Sequence, residues 1–151
     1  MTKYYTTAIS KHVPEHMTKV LQKLSQYIEQ HGYVLRTNSK DDLFYKALAD
    51  KTNAEFITQD NIPENAYNIA SEHHTYWFKL KPYVKNLTTN NVQKVFGQNL
   101  HKPCDFVLIC DYEGKGEGYI KHTTRIAQSN FVPVYDLGLV SMNALMEVIN
   151  D

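Results

Sequence analysis

An excess of charge of either sign is missing from this chain: sixteen basic residues balance sixteen acidic ones. No net field therefore draws it to nucleic acid or to an anionic lipid surface, a local patch aside. Cysteine is scarce, with only Cys104 and Cys110. Both read as the two ends of one buried strand, which would set their Cα atoms roughly 20 Å apart and exclude a disulfide between them. A reduced, intracellular protein is the expectation. No apolar run is long enough to span a bilayer, and the first ten residues lack a basic-then-apolar signal pattern. The expected location is the cytoplasm, with no membrane partner. Internal repeats, low-complexity tracts and linkers are absent as well, so the 151 residues are expected to form one domain. No Walker loop, Ser-His-Asp arrangement or paired-carboxylate motif stands out.

What is present is a globular composition, 42% hydrophobic and 21% charged, with eleven tyrosines and six phenylalanines. That aromatic load suits packing, or stacking on flat ligands. Tyr4 to Ile9 is β-prone. Pro14 and Glu15 open a helical pattern whose stripe is Met17, Val20, Leu21, Leu24, Tyr27 and Ile28, and Gly32 ends it. Tyr33 to Leu35 reads as a second strand. Ser39 is the expected cap of a helix running through Asp41, Asp42, Leu43, Ala47 and Leu48. Ala54 to Ile57 is a third short strand. Pro63 and Glu64 start a helix reaching His73, and another runs from about Val84 to Phe96, stopping at Gly97.

The most apolar stretch, Phe106 to Cys110, shows no alternation, as expected for a strand covered on both faces. Beyond Gly114, Gly116 and Gly118 come a helix through Ile126 and Ala127, a strand from Phe131 to Tyr135 and a last helix from Val140 to Ile149. Strands alternating with helices predict an α/β fold, a Rossmann-like three-layer sandwich with a mostly parallel central sheet.

Sheets of this kind bind ligands beyond the carboxyl ends of their strands. Three such loops are readable, and the blocks around them carry a family resemblance. His73-His74-Thr75-Tyr76-Trp77 resembles an HHPAW element. Asn91 to Leu100 resembles RNVxQVLGxDL, Arg125-Ile126-Ala127 resembles RIA, and Val132 to Leu137 resembles IPVFNL. Their order and spacing resemble the phage-encoded branch of the SLOG superfamily, relatives of the DNA-processing protein DprA, the LOG phosphoribohydrolases and the molybdenum-cofactor carrier proteins. The resemblance runs from about Tyr5 to Leu137.

The departures fall in the loops. Where the family has YxGIGSR, this chain has Tyr5 to Lys11, with Thr7 and Ile9 at the glycine positions. Where the family has LRSGGADGAD, it has Leu35 to Phe44, keeping Arg36 and Asp41 but neither glycine of the pair; Phe44 and Leu48 stand where a second acid and a glutamate are typical. The GGTGQAIRIA pattern becomes Gly118 to Ala127. Glycine lets a phosphate approach consecutive backbone N–H groups, which a branched Cβ obstructs.

The candidate ligand residues follow from these loops. Ser10 and Lys11 close the first. Arg36, Asn38, Ser39 and Asp41 form a polar cluster that reads either as a ribose or phosphate holder or as a solvated helix start. Asn91 sits in a helix interior, where its propensity is poor, which points to a buried hydrogen-bonding role. Glu117, Gly118, Lys121, His122, Thr123 and Thr124 line the loop and helix start after the apolar strand, a binding site or an exposed loop. The resemblance implies that His74 and Trp77 face the pocket or a dimer contact, with packing in the core as the other reading. Adjacent histidines on a helix point about 100° apart, so His73 and His74 predict no metal site, and no cofactor is called for.

The resemblance implies a protein that binds a nucleotide-derived small molecule, sequestering or sensing it, with interference in host nucleotide signalling as the phage role. Catalysis is not favoured, because the typical glutamate is replaced by Leu48. A LOG-like nucleoside-monophosphate N-glycosidase is the enzymatic alternative, with Glu117 or Asp41 as acid/base. The third reading is an interaction module for a host protein, its ancestral pocket filled by Ile9, Phe44, Leu48, Tyr119 and Ile120. Self-association in the family implies a homodimer. DNA binding in the manner of DprA is disfavoured by the zero net charge.

Overall fold

The computed structural model describes residues 1–112 and 118–151. The strands are β1 (Lys3–Ile9), β2 (Tyr33–Thr37), β3 (Ala54–Phe56), β4 (Phe106–Cys110) and β5 (Val134–Asp136). The helices are α1 (Glu15–Gln30), α2 (Leu43–Lys46), α3 (Glu64–Glu72), α4 (Pro82–Phe96), α5 (Gly118–Ser129) and α6 (Met142–Asn150), with a 3-10 turn at Trp77–Lys79. All five strands are parallel, in the order β3-β2-β1-β4-β5. The register sets Lys3 beside Tyr33 on one flank of β1, and Tyr5 beside Phe106 through Ile9 beside Cys110 on the other. The expected Rossmann-like three-layer sandwich is what the chain forms.

Alternation along the strands divides the interior in two. Tyr5, Tyr33, Leu35, Phe106 and Leu108 point to one face, where Leu21, Leu24 and Ile28 of α1, Phe44 of α2 and Leu145 and Ile149 of α6 cover them. Val107 points to the other face, against Ala66 and Ala70 of α3, Val92 and Val95 of α4, and Ile126 and Ala127 of α5. β4 is nearly all buried because helices cover both of its sides, which explains its unbroken apolar run.

Several expected boundaries move for local reasons. Val20 is exposed at the edge of the α1 stripe. Gly32 ends α1 as expected, at φ +84°, a region that a side chain disfavours. α4 begins two residues early because Pro82 occupies its first turn, where a missing N–H costs nothing. Phe131 is not in a strand: it is 94% exposed with φ +61°, in the turn that ends α5, and β5 starts only at Val134. Cys104 precedes β4 rather than lying in it; both cysteines are free and buried.

The helix expected after Ser39 is a single turn, and its cap is Asp42, not Ser39. Asp42 Oδ1 accepts from the N–H of Phe44 at 2.9 Å, whereas Ser39 Oγ accepts from the N–H of Asp41 at 3.0 Å in the preceding bend. Phe44 and Leu48 then turn into the first core.

Candidate functional site

The chain runs β1, β2, β3 outward to one edge, then crosses back to β4 and β5 on the other side of β1. Neighbouring loops diverge at that reversal and leave a crevice beyond the carboxyl ends of β1 and β4. Here the two strand ends are stitched together. The Ser10 N–H and hydroxyl both donate to Cys110 O, at 2.8 and 3.0 Å, and Ser10 Oγ accepts from the N–H of Tyr112 at 3.0 Å. Above this seam lies a cleft of about 1070 Å³, walled by the β1 loop, the bend before α2, the middle of α4 and the start of α5.

Thr7 organises its floor. The side chain stands where a glycine loop would leave open backbone, and its hydroxyl donates to Asp42 Oδ2 at 3.4 Å. Thr37 Oγ1 donates to the same oxygen at 2.8 Å, so the Asp42 carboxylate is held by two hydroxyls and the Phe44 N–H. The Thr7 carbonyl accepts from Lys94 Nζ at 2.8 Å. Lys94 is 8% exposed, lines the cleft, and has no carboxylate within 4.0 Å among the described residues. Burial pulls its pKa below the ordinary lysine value, while the field of Asp42 opposes that shift. Ile9 O, further along the strand, accepts from the Tyr119 hydroxyl.

The wall opposite is unusual for a helix. From Thr89 to Val95, α4 is buried at seven consecutive positions, although only Val92 and Val95 are apolar. Its amide side chains find partners inside the fold. Asn90 Nδ2 donates to Gln93 Oε1 at 2.7 Å, and Gln93 Nε2 to Gln98 O at 3.1 Å. Asn91 pairs with His122 of α5 through Nδ2 and Nδ1, at 3.0 Å.

His122 Nε2 lies 2.9 Å from Ala70 O, which can only accept. That contact makes Nε2 the protonated nitrogen and leaves Nδ1 to accept from the Asn91 amide. Burial, partly opposed by the Ala70 carbonyl and reinforced by His74, His73 and Arg125, lowers the His122 pKa to about 4. His74 packs its ring 5.5 Å from that of His122 and accepts from the N–H of Tyr76 at 3.2 Å.

The candidates chosen from sequence divide cleanly. Ser10, Lys11, Asn38, Ser39, Asp41, Asn91, Gly118 and His74 line the cleft. Arg36 does not: strand alternation sends it to the second face, fully buried. There its Nη1 donates to Lys102 O at 2.8 Å, its guanidinium lies 4.4 Å from the centre of the Tyr4 ring, and Nε is 3.4 Å from Glu55.

Nη1 also reaches Lys94 O and Val95 O, each at 3.4 Å, so Arg36 supplies a cation to the carbonyl end of α4. Gly97, at φ +93°, lets the chain turn past it. Lys121 is exposed and Thr123 fully buried, neither of them in the cleft wall. Trp77 belongs to the second core, with Lys85 Nζ 5.5 Å from its ring centre. Glu117, Gly114 and Gly116 lie outside the described residues.

Sequence reading missed Thr7 as a bonding group, Asp42 as the capping carboxylate, and Lys94. One signal was present for Lys94: Asn91 and Lys94 are one helical turn apart, so a buried asparagine implied a lysine on the same face. Of the five residues expected to fill the pocket, Phe44 and Leu48 lie in the first core, Ile120 is buried outside the cleft lining, and Ile9 and Tyr119 form part of the cleft wall without closing it. No protein-family model, curated protein or solved structure matches the chain.

Proposed function

We propose that this cleft binds a nucleotide-derived small molecule and holds or senses it without turning it over. The observation that carries the reading is position: an open crevice of about 1070 Å³ at the reversal point of a parallel sheet, where this topology places nucleotide ligands. The likeness of the surrounding blocks to the SLOG superfamily supports the same ligand class.

The absence of turnover rests on how the proton-carrying groups are used. Both His122 nitrogens are engaged, His74 Nδ1 already accepts a backbone N–H, and Asp42 is held by three donors. A general acid or base needs a free site aimed at the reacting atom; His122 and Asp42 are committed to holding the wall, and Asp41, which also lines the cleft, is the acid that the hydrolysis alternative would use.

A thermal-shift screen against nucleosides, nucleotides, cyclic nucleotides and ADP-ribose derivatives tests the proposal, with chromatography of any ligand that responds. Ligand at about 100 times Kd adds roughly 2.7 kcal/mol, a shift of several degrees for a domain of this size. The expected result is a shift with the ligand recovered intact. No shift across the panel would remove the nucleotide reading. Release of free base would replace holding with N-glycoside hydrolysis.

A further inference from the structure

A lysine buried without a carboxylate beside it is costly unless something else supplies negative charge. Among the described residues, Lys94 has no carboxylate within 4.0 Å. Its one hydrogen bond among the described residues goes to the neutral carbonyl of Thr7, at 2.8 Å, which leaves two of the three ammonium donors unused. Asp42, whose field acts on it, is not within 4.0 Å and spends its own charge on Thr7, Thr37 and the Phe44 N–H.

Lys94 also sits on a rigid support: α4 is buried on every side here, and Arg36 holds its carbonyl end. It lines the cleft together with Gly118 and Tyr119, at the start of the twelve-residue α5.

We propose that Lys94 is the anchor for an oxyanion of the bound ligand, the phosphoryl group of a small phosphorylated molecule seated against the Lys94 ammonium. This rests on the small-molecule reading of the cleft and names the part of the ligand that the cleft grips. The anchor comes from the α4 wall, not from the β1 loop, whose branched residues Thr7 and Ile9 are bonded to Asp42, Lys94 and Tyr119. An ammonium on a fixed helix takes over what open backbone N–H groups do in a glycine loop.

The test measures binding of inorganic pyrophosphate by calorimetry to the wild-type chain, to Lys94→Met and to Lys121→Met. Lys121 is exposed on α5 outside the cleft, so its loss removes the same charge without touching the site. The expected outcome is at least about tenfold weaker binding in Lys94→Met, with Lys121→Met within about twofold of wild type. Free Lys94→Met should melt no lower than wild type, since a buried uncompensated charge is gone. If Lys94→Met does not fold, Lys94→Gln keeps a donor for the Thr7 carbonyl and is read the same way.

Equal weakening in both variants, unchanged affinity in Lys94→Met, or no pyrophosphate binding by wild type would each overturn the anchor. Nucleotide binding that survives in Lys94→Met would overturn it too, while the nucleotide reading stood. Pyrophosphate binding that depends on Lys94, with no nucleotide responding, would keep the anchor and remove that reading.

Discussion

The two faces of the central sheet are built on different physics. One face is apolar packing: Tyr5, Phe44 and Phe106 meet ring to ring, with Tyr5 5.5 Å from Phe106 and 6.2 Å from Phe44, beneath α1 and α6. The other face buries Arg36, Asn90, Asn91, Gln93, Lys94 and His122 beside its aliphatic residues. An apolar face needs only volume and shape, and it tolerates change wherever volume is kept. A polar face needs every group matched, and a group left over is a candidate for a ligand. The cleft opens over the end of the sheet where that second face supplies α4 and α5.

The contrast can be broken most strongly on the apolar side. Phe44→Ala removes a fully buried ring from the first core and should cost about 3–5 kcal/mol, read as a lower urea midpoint with little change in slope. A smaller loss would mean that this face collapses around the gap.

The polar side should respond to acid instead. The folded pKa of His122 is depressed to about 4, below the unfolded value near 6.5, so the unfolded chain binds more protons between those limits. The stability that neutral His122 allows is complete above about pH 6.5 and is lost as pH falls toward 4, on the order of 3 kcal/mol. Urea unfolding at pH 7.5 and at pH 5, compared with His122→Gln, isolates the effect. Wild type should lose more stability than the variant over that interval, and parallel losses would show that His122 does not titrate this way.

The smallest effect expected is at Arg36. Arg36→Met keeps the stem's packing but leaves Lys102 O and the end of α4 without their cation, at a cost of about 2 kcal/mol. Chemical denaturation checks the magnitude. A neutral outcome would mean that desolvating the guanidinium cancels what its contacts contribute.

How much could be read beforehand depended on the range of the interaction. The β4 run Phe106–Cys110, the α1 stripe and the stop at Gly32 follow from local pattern, and the structure carries them, Val20 at the edge of the stripe excepted. The poor fit of Asn91 to a helix interior pointed to a buried polar role, which its pairing with His122 fills. Arg36 misled because an arginine next to a strand end is equally compatible with either face until the neighbouring helix is placed. Ser39 misled because Asp42, three residues on, gains two threonine hydroxyls from separate strands.

By itself the sequence determined the alternation of strands and helices, the doubly covered strand β4 and hence the layered α/β architecture, because periodicity and breakers act over a few residues. Only the tertiary structure decided which polar residues have partners. Thr7, Asp42 and Lys94 are far apart in the chain and meet only when β1, the bend before α2, and α4 converge. Whether a buried charge is already satisfied or still open to a ligand depends on those long-range neighbours, and on their distances in three dimensions.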